Sequence, residues 1–151
     1  MNSLKIYINP IWMFLLLFVF ISNSYAEDKP NIQFEDFWIV SPPEVARSAA
    51  GYGIIRNTGN EADTLTHICT ESASVMLHKT EIESGMAKMI HLKNIVIEPN
   101  SELVLKPMSF HLMFMDLSDD FFKENAEITL YLEFEKSGRF EIKLPVRSSW
   151  D

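Results

Sequence analysis

A strict alternation of apolar and polar side chains near the C-terminus is the feature that most constrains the fold of this chain. Over residues 126–135, apolar side chains occupy every second position. They are Ile128, Leu130, Leu132 and Phe134. Successive side chains of a β-strand point to opposite faces, so this pattern predicts a strand with one buried face. A turn signal at 136–138 and a second alternating run predict its hairpin partner. The apolar residues of that run are Phe140, Ile142 and Leu144.

Short runs rich in β-branched and aromatic residues recur through the rest of the chain, with Gly, Pro, Asn and Ser between them. No long stretch has the periodicity of an amphipathic helix. The runs predict strands over 36–40, 51–57, 64–69, 73–80, 87–93, 102–106, 110–117, 126–135 and 139–146. Such a series of short strands indicates an all-β fold, either an antiparallel β-sandwich or a small barrel.

The N-terminus has the pattern of a secretory signal peptide. A basic residue precedes an unbroken apolar run at 11–21, and small residues follow at Ser24 and Ala26. We therefore expect a signal peptide over 1–26, export to the periplasm and a single mature domain over 27–151. The apolar run is shorter than the ~20 residues of a spanning helix, so we expect no membrane anchor in the mature chain.

Charge and cysteine content narrow the choice of partners. The formal net charge is −8 at pH 7, and a surface of that sign repels nucleic acid and anionic membranes. We therefore expect no nucleic-acid partner, and we expect a monomer. Cys69 is the single cysteine, so it has no internal disulfide partner. Its position in a predicted strand favours a buried, inert thiol over a metal or redox role.

Histidine and methionine residues in the middle of the chain suggest a metal site. A turn centred between residues 83 and 84 would place His78 directly across from Met89 on two antiparallel strands. His111 and Met113 are two residues apart on one predicted strand and therefore share a face. If these two elements face one another, they supply two imidazoles and two thioethers to a single ion.

This ligand set selects among metals. Thioether sulfur is a soft donor that suits Cu(I), whereas zinc prefers thiolate or carboxylate beside histidine. Outside a metal site, a histidine usually has a structural role with a hydrogen bond, and a methionine usually fills the core. We interpret His67 as such a histidine and Met13 and Met108 as such methionines. Auxiliary candidates for the site are Met86, His91 and Met115.

The spacing of the four residues resembles a family signature. His78, Met89, His111 and Met113 follow the pattern H-x10-M-x21-H-x-M, which is similar to that of the PCu(A)C periplasmic copper chaperones. The similarity covers most of residues 38–135. Flanking stretches that share it are 51–52, 56–59, 63–65, 85–89, 105–107 and 111–117.

The resemblance implies a cupredoxin-like, Greek-key antiparallel β-sandwich that binds one Cu(I) through the four residues. It also implies delivery to the copper site of cytochrome c oxidase, with that subunit or a thioredoxin-fold assembly factor as the copper acceptor. The sequence departs from the family pattern at Met76, where an acidic residue is usual, and at Met108-Ser109, where a glycine-containing turn is usual. The histidine- and methionine-rich tail of many members is absent from this sequence.

Other functions remain open at this stage. A copper enzyme needs an open coordination position and usually harder nitrogen ligands, so we expect a protein without catalysis. An electron-transfer cupredoxin needs a thiolate ligand, and Cys69 stands in no such motif. The remaining alternatives are an exported β-sandwich interaction module and a copper buffer with no delivery role.

Overall fold

The structure is a computed structural model that describes residues 28–123 and 125–148. The predicted signal peptide lies outside these residues. No helix within the described part is long and apolar enough to span a membrane. The strands of the described part are β1 (Ile32–Val40), β2 (Ser48–Asn57), β3 (Asp63–Cys69), β4 (Ser74–Glu83), β5 (Met86–Leu92), β6 (Ile95–Ile97), β7 (Ser101–Leu105), β8 (Phe110–Met115), β9 (Glu127–Phe134) and β10 (Gly138–Arg147).

The strands form two sheets packed face to face. One sheet has the strand order β5-β4-β8-β7-β2-β1, and the other has the order β10-β9-β3-β6. A parallel pairing of β1 with β10 joins them, and β7 and β8 also meet in parallel. The remaining pairings are antiparallel. The predicted all-β antiparallel sandwich is confirmed.

The core lies between the sheets and follows the predicted alternation. The four apolar residues of β9 are between 0% and 4% exposed, and Leu144 of β10 is fully buried. Leu77, Leu112 and Phe114 contribute from the opposite sheet. Each such side chain stabilises the fold by about 1.5–3 kcal/mol through the apolar surface that it removes from water.

Two elements differ from the sequence prediction. β1 begins at Ile32, before the predicted 36–40, and a bulge between Glu35 and Trp38 interrupts the alternation that would have extended the prediction. Asp36 has φ 50° at this bulge. β6 was not predicted, since three residues are too few to produce a recognisable pattern.

The connection between β2 and β3 is held by a buried asparagine. Asn57 is 0% exposed, and its side-chain carbonyl accepts hydrogen bonds from the backbone N–H groups of Asn31 and Gly59 at 3.1 and 3.0 Å. Its amide group donates to two backbone carbonyls. A Cβ at Gly59 would collide with the carbonyl oxygen of Lys29, so only glycine fits there. The stretch 56–59, part of the family resemblance, therefore has a structural role.

Candidate metal centre

The candidate site lies on the outer face of the larger sheet, where β4 is paired with β5 on one side and β8 on the other. Leu77 is opposite both Leu92 and Leu112, and the side chains of Leu77 and Leu112 are 4% and 1% exposed in the core. Neighbouring residues on a strand point to opposite faces, so the residues that follow or precede these leucines project outward. His78 and His111 are among them.

His78 lies at the centre of a row of three imidazoles. It is the strand partner of His111 on β8 and of His91 on β5. The ring centroid of His78 is 5.8 Å from that of His111 and 5.7 Å from that of His91, with both pairs edge to face. Two of these rings at a time are close enough to bind one ion between them.

The predicted register of the β4–β5 hairpin is wrong by two residues. The turn consists of Ser84 and Gly85, with φ values of 52° and 81°, as in the two-residue type I′ turn that favours glycine. Met89 is therefore opposite Thr80 and not opposite His78. A shift of two residues keeps the same face, so Met89 remains a diagonal neighbour of His78 at about 7–8 Å between Cα atoms.

Met113 is the other diagonal neighbour of His78. Its strand partner on β4 is Met76, which therefore lies on the outer face as well and is half-buried. The two ligand-bearing elements do not face one another, because β5, β4 and β8 lie side by side in one sheet. The four predicted ligands nevertheless share one face of three adjacent strands.

His78 carries an unsatisfied polar atom. Its Nδ1 is buried and has no hydrogen-bond partner, a situation that costs about 1–3 kcal/mol. Burial of the ring lowers the pKa of His78, and the nearby imidazoles of His111 and His91 lower this pKa further. The lowered pKa favours the neutral ring, which is the form that binds metal ions.

His111 is oriented by the loop that precedes β8. Its Nδ1 lies 3.1 Å from the carbonyl oxygen of Ser109, and because a carbonyl only accepts, the proton is on Nδ1 and Nε2 is left as a donor atom for a metal. The same carbonyl accepts a hydrogen bond from the backbone N–H of Thr80 at 3.0 Å. Met108 adopts φ 58° in this loop. The departure from the family pattern at 108–109 thus still gives a loop that fixes His111.

Exposure rises across the site from β8 towards β5. His111 is 6% exposed, His78 and Met113 are half-buried, and Met89 is 57% exposed at the edge of the sheet. His91 is exposed and lines a cleft of about 280 Å³ between β3 and the β4–β5 hairpin. An ion at this site would therefore be reached from the β5 side.

Other candidates contribute less. Met115 shares the face of Met113 but pairs with Ser74, a further two residues from the row of histidines. Met86 is 72% exposed at the hairpin turn. Cys69 is half-buried in the other sheet, whereas full burial was expected. Residues 28–123 and 125–148 contain no metal-binding group of three or more His, Cys, Asp or Glu side chains.

The sequence matches a family model described as "Putative lipoprotein LpqE-like" over residues 32–146. This chain belongs to the LpqE-like family. The match spans the chain from β1 to β10 and so includes all three strands of the candidate site. Comparison of this LpqE-like chain with curated proteins gave no match.

Solved structures of PCuAC domains have the same fold as this LpqE-like chain. The copper-bound PCuAC domain from PmoF2 is 22% identical with a TM-score of 0.63, over 80% of this chain and 99% of that one. The apo PCuAC domain from PmoF1 is 19% identical with a TM-score of 0.62, over 80% and 100%. Apo-DR1885 from Deinococcus radiodurans is 21% identical with a TM-score of 0.60, over 82% and 86%. The predicted cupredoxin-like sandwich, and the resemblance to PCu(A)C proteins at the level of the fold, are confirmed.

Proposed function

We propose that this LpqE-like protein is an exported copper chaperone that binds one Cu(I) through His78, Met89, His111 and Met113 and passes it to an acceptor protein. The proposal rests on the Nδ1 of His78, which is buried and has no hydrogen-bond partner. The neighbouring imidazole of His111 contacts Ser109 through Nδ1, so its Nε2 is available to a metal ion. Buried polar atoms are normally hydrogen-bonded, so a bound ion is a natural partner for the Nδ1 of His78.

The chemistry of the ligand set favours Cu(I). Imidazole nitrogen and thioether sulfur are neutral donors, and soft sulfur ligands select Cu(I) over hard divalent ions. A methionine side chain is long and unbranched, so Met89 and Met113 can bring their sulfur atoms over His78 from the two flanking strands. The PCuAC domain from PmoF2, which has the same fold, was solved with copper bound.

The setting of the site favours delivery over catalysis. Imidazole and thioether ligands together favour Cu(I). A copper enzyme that cycles to Cu(II) usually has an all-nitrogen ligand set instead. An exposed edge allows ligand exchange with a protein acceptor, for which we propose the copper subunit of cytochrome c oxidase or a thioredoxin-fold assembly factor. The net charge of −8 favours docking on a basic face of that acceptor. We place the protein in the periplasm, as a monomer released from a signal peptide over 1–26.

An anaerobic Cu(I) titration against a competing chelator tests this function. We expect one equivalent to bind, and we expect affinity to fall by at least about tenfold in the His111→Ala/Met113→Ala double variant. The control is His67→Ala/Val96→Ala, which removes one exposed histidine and one exposed apolar side chain from positions outside the row of histidines. Equal affinity in both double variants, or no binding by the wild type, would contradict the proposal and leave an interaction module.

A further inference from the structure

The strands that flank His78 carry matching pairs of donor residues. On β8 the pair is His111 and Met113, and on β5 the pair is Met89 and His91. In both cases the histidine is directly opposite His78, and the methionine is its diagonal neighbour. His78 therefore lies between two half-sites that have the same residue types. The proposed resting ligands include both residues of the β8 half-site but only Met89 of the β5 half-site.

Each outer histidine is paired with His78, from opposite sides. The backbones of His91 and His111 are separated by two strand spacings, about 9.6 Å. Since metal–imidazole bonds are about 2.0 Å long, the centroids of two rings on one ion lie within about 6 Å of each other. The 5.7 and 5.8 Å separations from His78 meet this limit, so His78 can share an ion with His111 or with His91.

The two half-sites differ in their access to solvent. His111 is 6% exposed, whereas Met89 is 57% exposed and His91 is also exposed. Among the strands of the described part, β5 lies at the end of its sheet and pairs only with β4. An acceptor can therefore approach the β5 half-site along a free sheet edge, while His111 of the β8 half-site is buried and contacts the loop that precedes β8.

From this arrangement we infer that His91 is a transfer ligand for copper. The inference rests on the proposed function. Cu(I) leaves His111 and Met113, is held by His78, Met89 and His91 at the sheet edge, and passes from there to the acceptor. His91 replaces His111 and Met113, so the ion passes from four neutral donors to three, stays Cu(I) and needs no electron transfer.

Such a role separates the rate of release from the equilibrium affinity. A ligand used only during transfer lowers the barrier to departure without holding the resting ion, and changes of that kind appear in rates and not in the binding constant. His91→Ala should therefore leave the resting complex intact and slow its release. His91→Met should restore release, because a thioether also binds Cu(I).

The experiment combines two measurements on the Cu(I)-loaded full-length mature protein under anaerobic conditions. Chelator competition gives the affinity, and stopped-flow mixing with bathocuproine disulfonate gives the release rate. For His91→Ala we expect an affinity within about threefold of wild type and release at least about tenfold slower. We expect wild-type release from His91→Met and from the control His67→Ala, which removes an exposed histidine from β3.

Each outcome decides between the two proposals. Unchanged release from His91→Ala would overturn the transfer role while leaving the proposed copper function in place. An affinity loss of more than about tenfold in His91→Ala would overturn it too, because His91 would then be a resting ligand. Absence of Cu(I) binding by the wild type would be a failure of the proposed function itself, and it is visible in the first measurement.

Discussion

At the scale of single residues, His78 lowers the stability of the apo protein and is at the same time a proposed Cu(I) ligand. Its Nδ1 is buried without a partner, and replacement of an unsatisfied polar group by an apolar one of similar size can be neutral or stabilising. We therefore expect His78→Leu to keep or raise the free energy of unfolding of the apo protein while lowering Cu(I) affinity by at least about tenfold. Urea denaturation and chelator competition measure the two effects. A large loss of apo stability would mean that the imidazole has a structural role.

Asp63 is a residue whose role is structural. It is 1% exposed and accepts hydrogen bonds from the backbone N–H groups of Thr64, Lys136 and Ser137 at 2.8–2.9 Å. Burial by itself would raise the pKa of Asp63, but hydrogen bonds from Ser137, Lys136 and Thr64 outweigh it, and the pKa is lowered. The ionised carboxylate thus ties the start of β3 to the β9–β10 turn.

The lowered pKa of Asp63 gives a pH dependence of defined sign. Its stabilising effect is complete above the pKa of the unfolded chain, about 3.9, and is lost as pH falls through the lower pKa of the folded state. We expect Asp63→Asn to lose about 2 kcal/mol of unfolding free energy at pH 7 and less at pH 3. The exposed Glu141→Gln is the control. An equal loss for Asp63→Asn at both pH values would contradict the account.

At the scale of elements, the β4–β5 turn sets which residue of β5 lies opposite His78. Gly85 has φ 81°, and no atom lies within 4 Å of where a Cβ would be, so the conformation and not a collision demands glycine. We expect Gly85→Val to lower the free energy of unfolding by about 1–2 kcal/mol. Gly85→Asn should be close to wild type, because asparagine tolerates this conformation. Equal stability of the two variants in urea denaturation would contradict a type I′ turn.

The elements also show how far the sequence alone can lead. The alternation in β9 was enough to predict its buried face, because the apolar side chains all lie on one of the two faces of the strand. The register of β5 could not be derived in the same way, because turns at 83–84 and at Ser84-Gly85 put the same faces together and differ only in which residue pairs with which. Recognition of Ser84-Gly85 as the type I′ pair would have placed His91 opposite His78.

At the scale of the whole molecule, the core and the candidate site occupy opposite faces of the same strands. Leu77 and Leu112 point into the sandwich, while His78 and His111 point out of it. The sequence predicted a shared face for His78 and Met89 and another for His111 and Met113, because that depends only on odd and even positions within a hairpin or a strand. The side-by-side order of β5, β4 and β8, and the rise in exposure across them, depend on long-range strand pairing that local patterns do not encode.

The X-ray absorption spectrum of the Cu(I)-loaded protein tests the central claim most directly, because it reports the atoms bonded to the ion. The account predicts both imidazole nitrogen and thioether sulfur around copper, with fewer sulfur atoms in the Met113→Ala variant. A wild-type spectrum with nitrogen and oxygen neighbours alone, or one unchanged in Met113→Ala, would contradict a copper site built from His78, Met89, His111 and Met113.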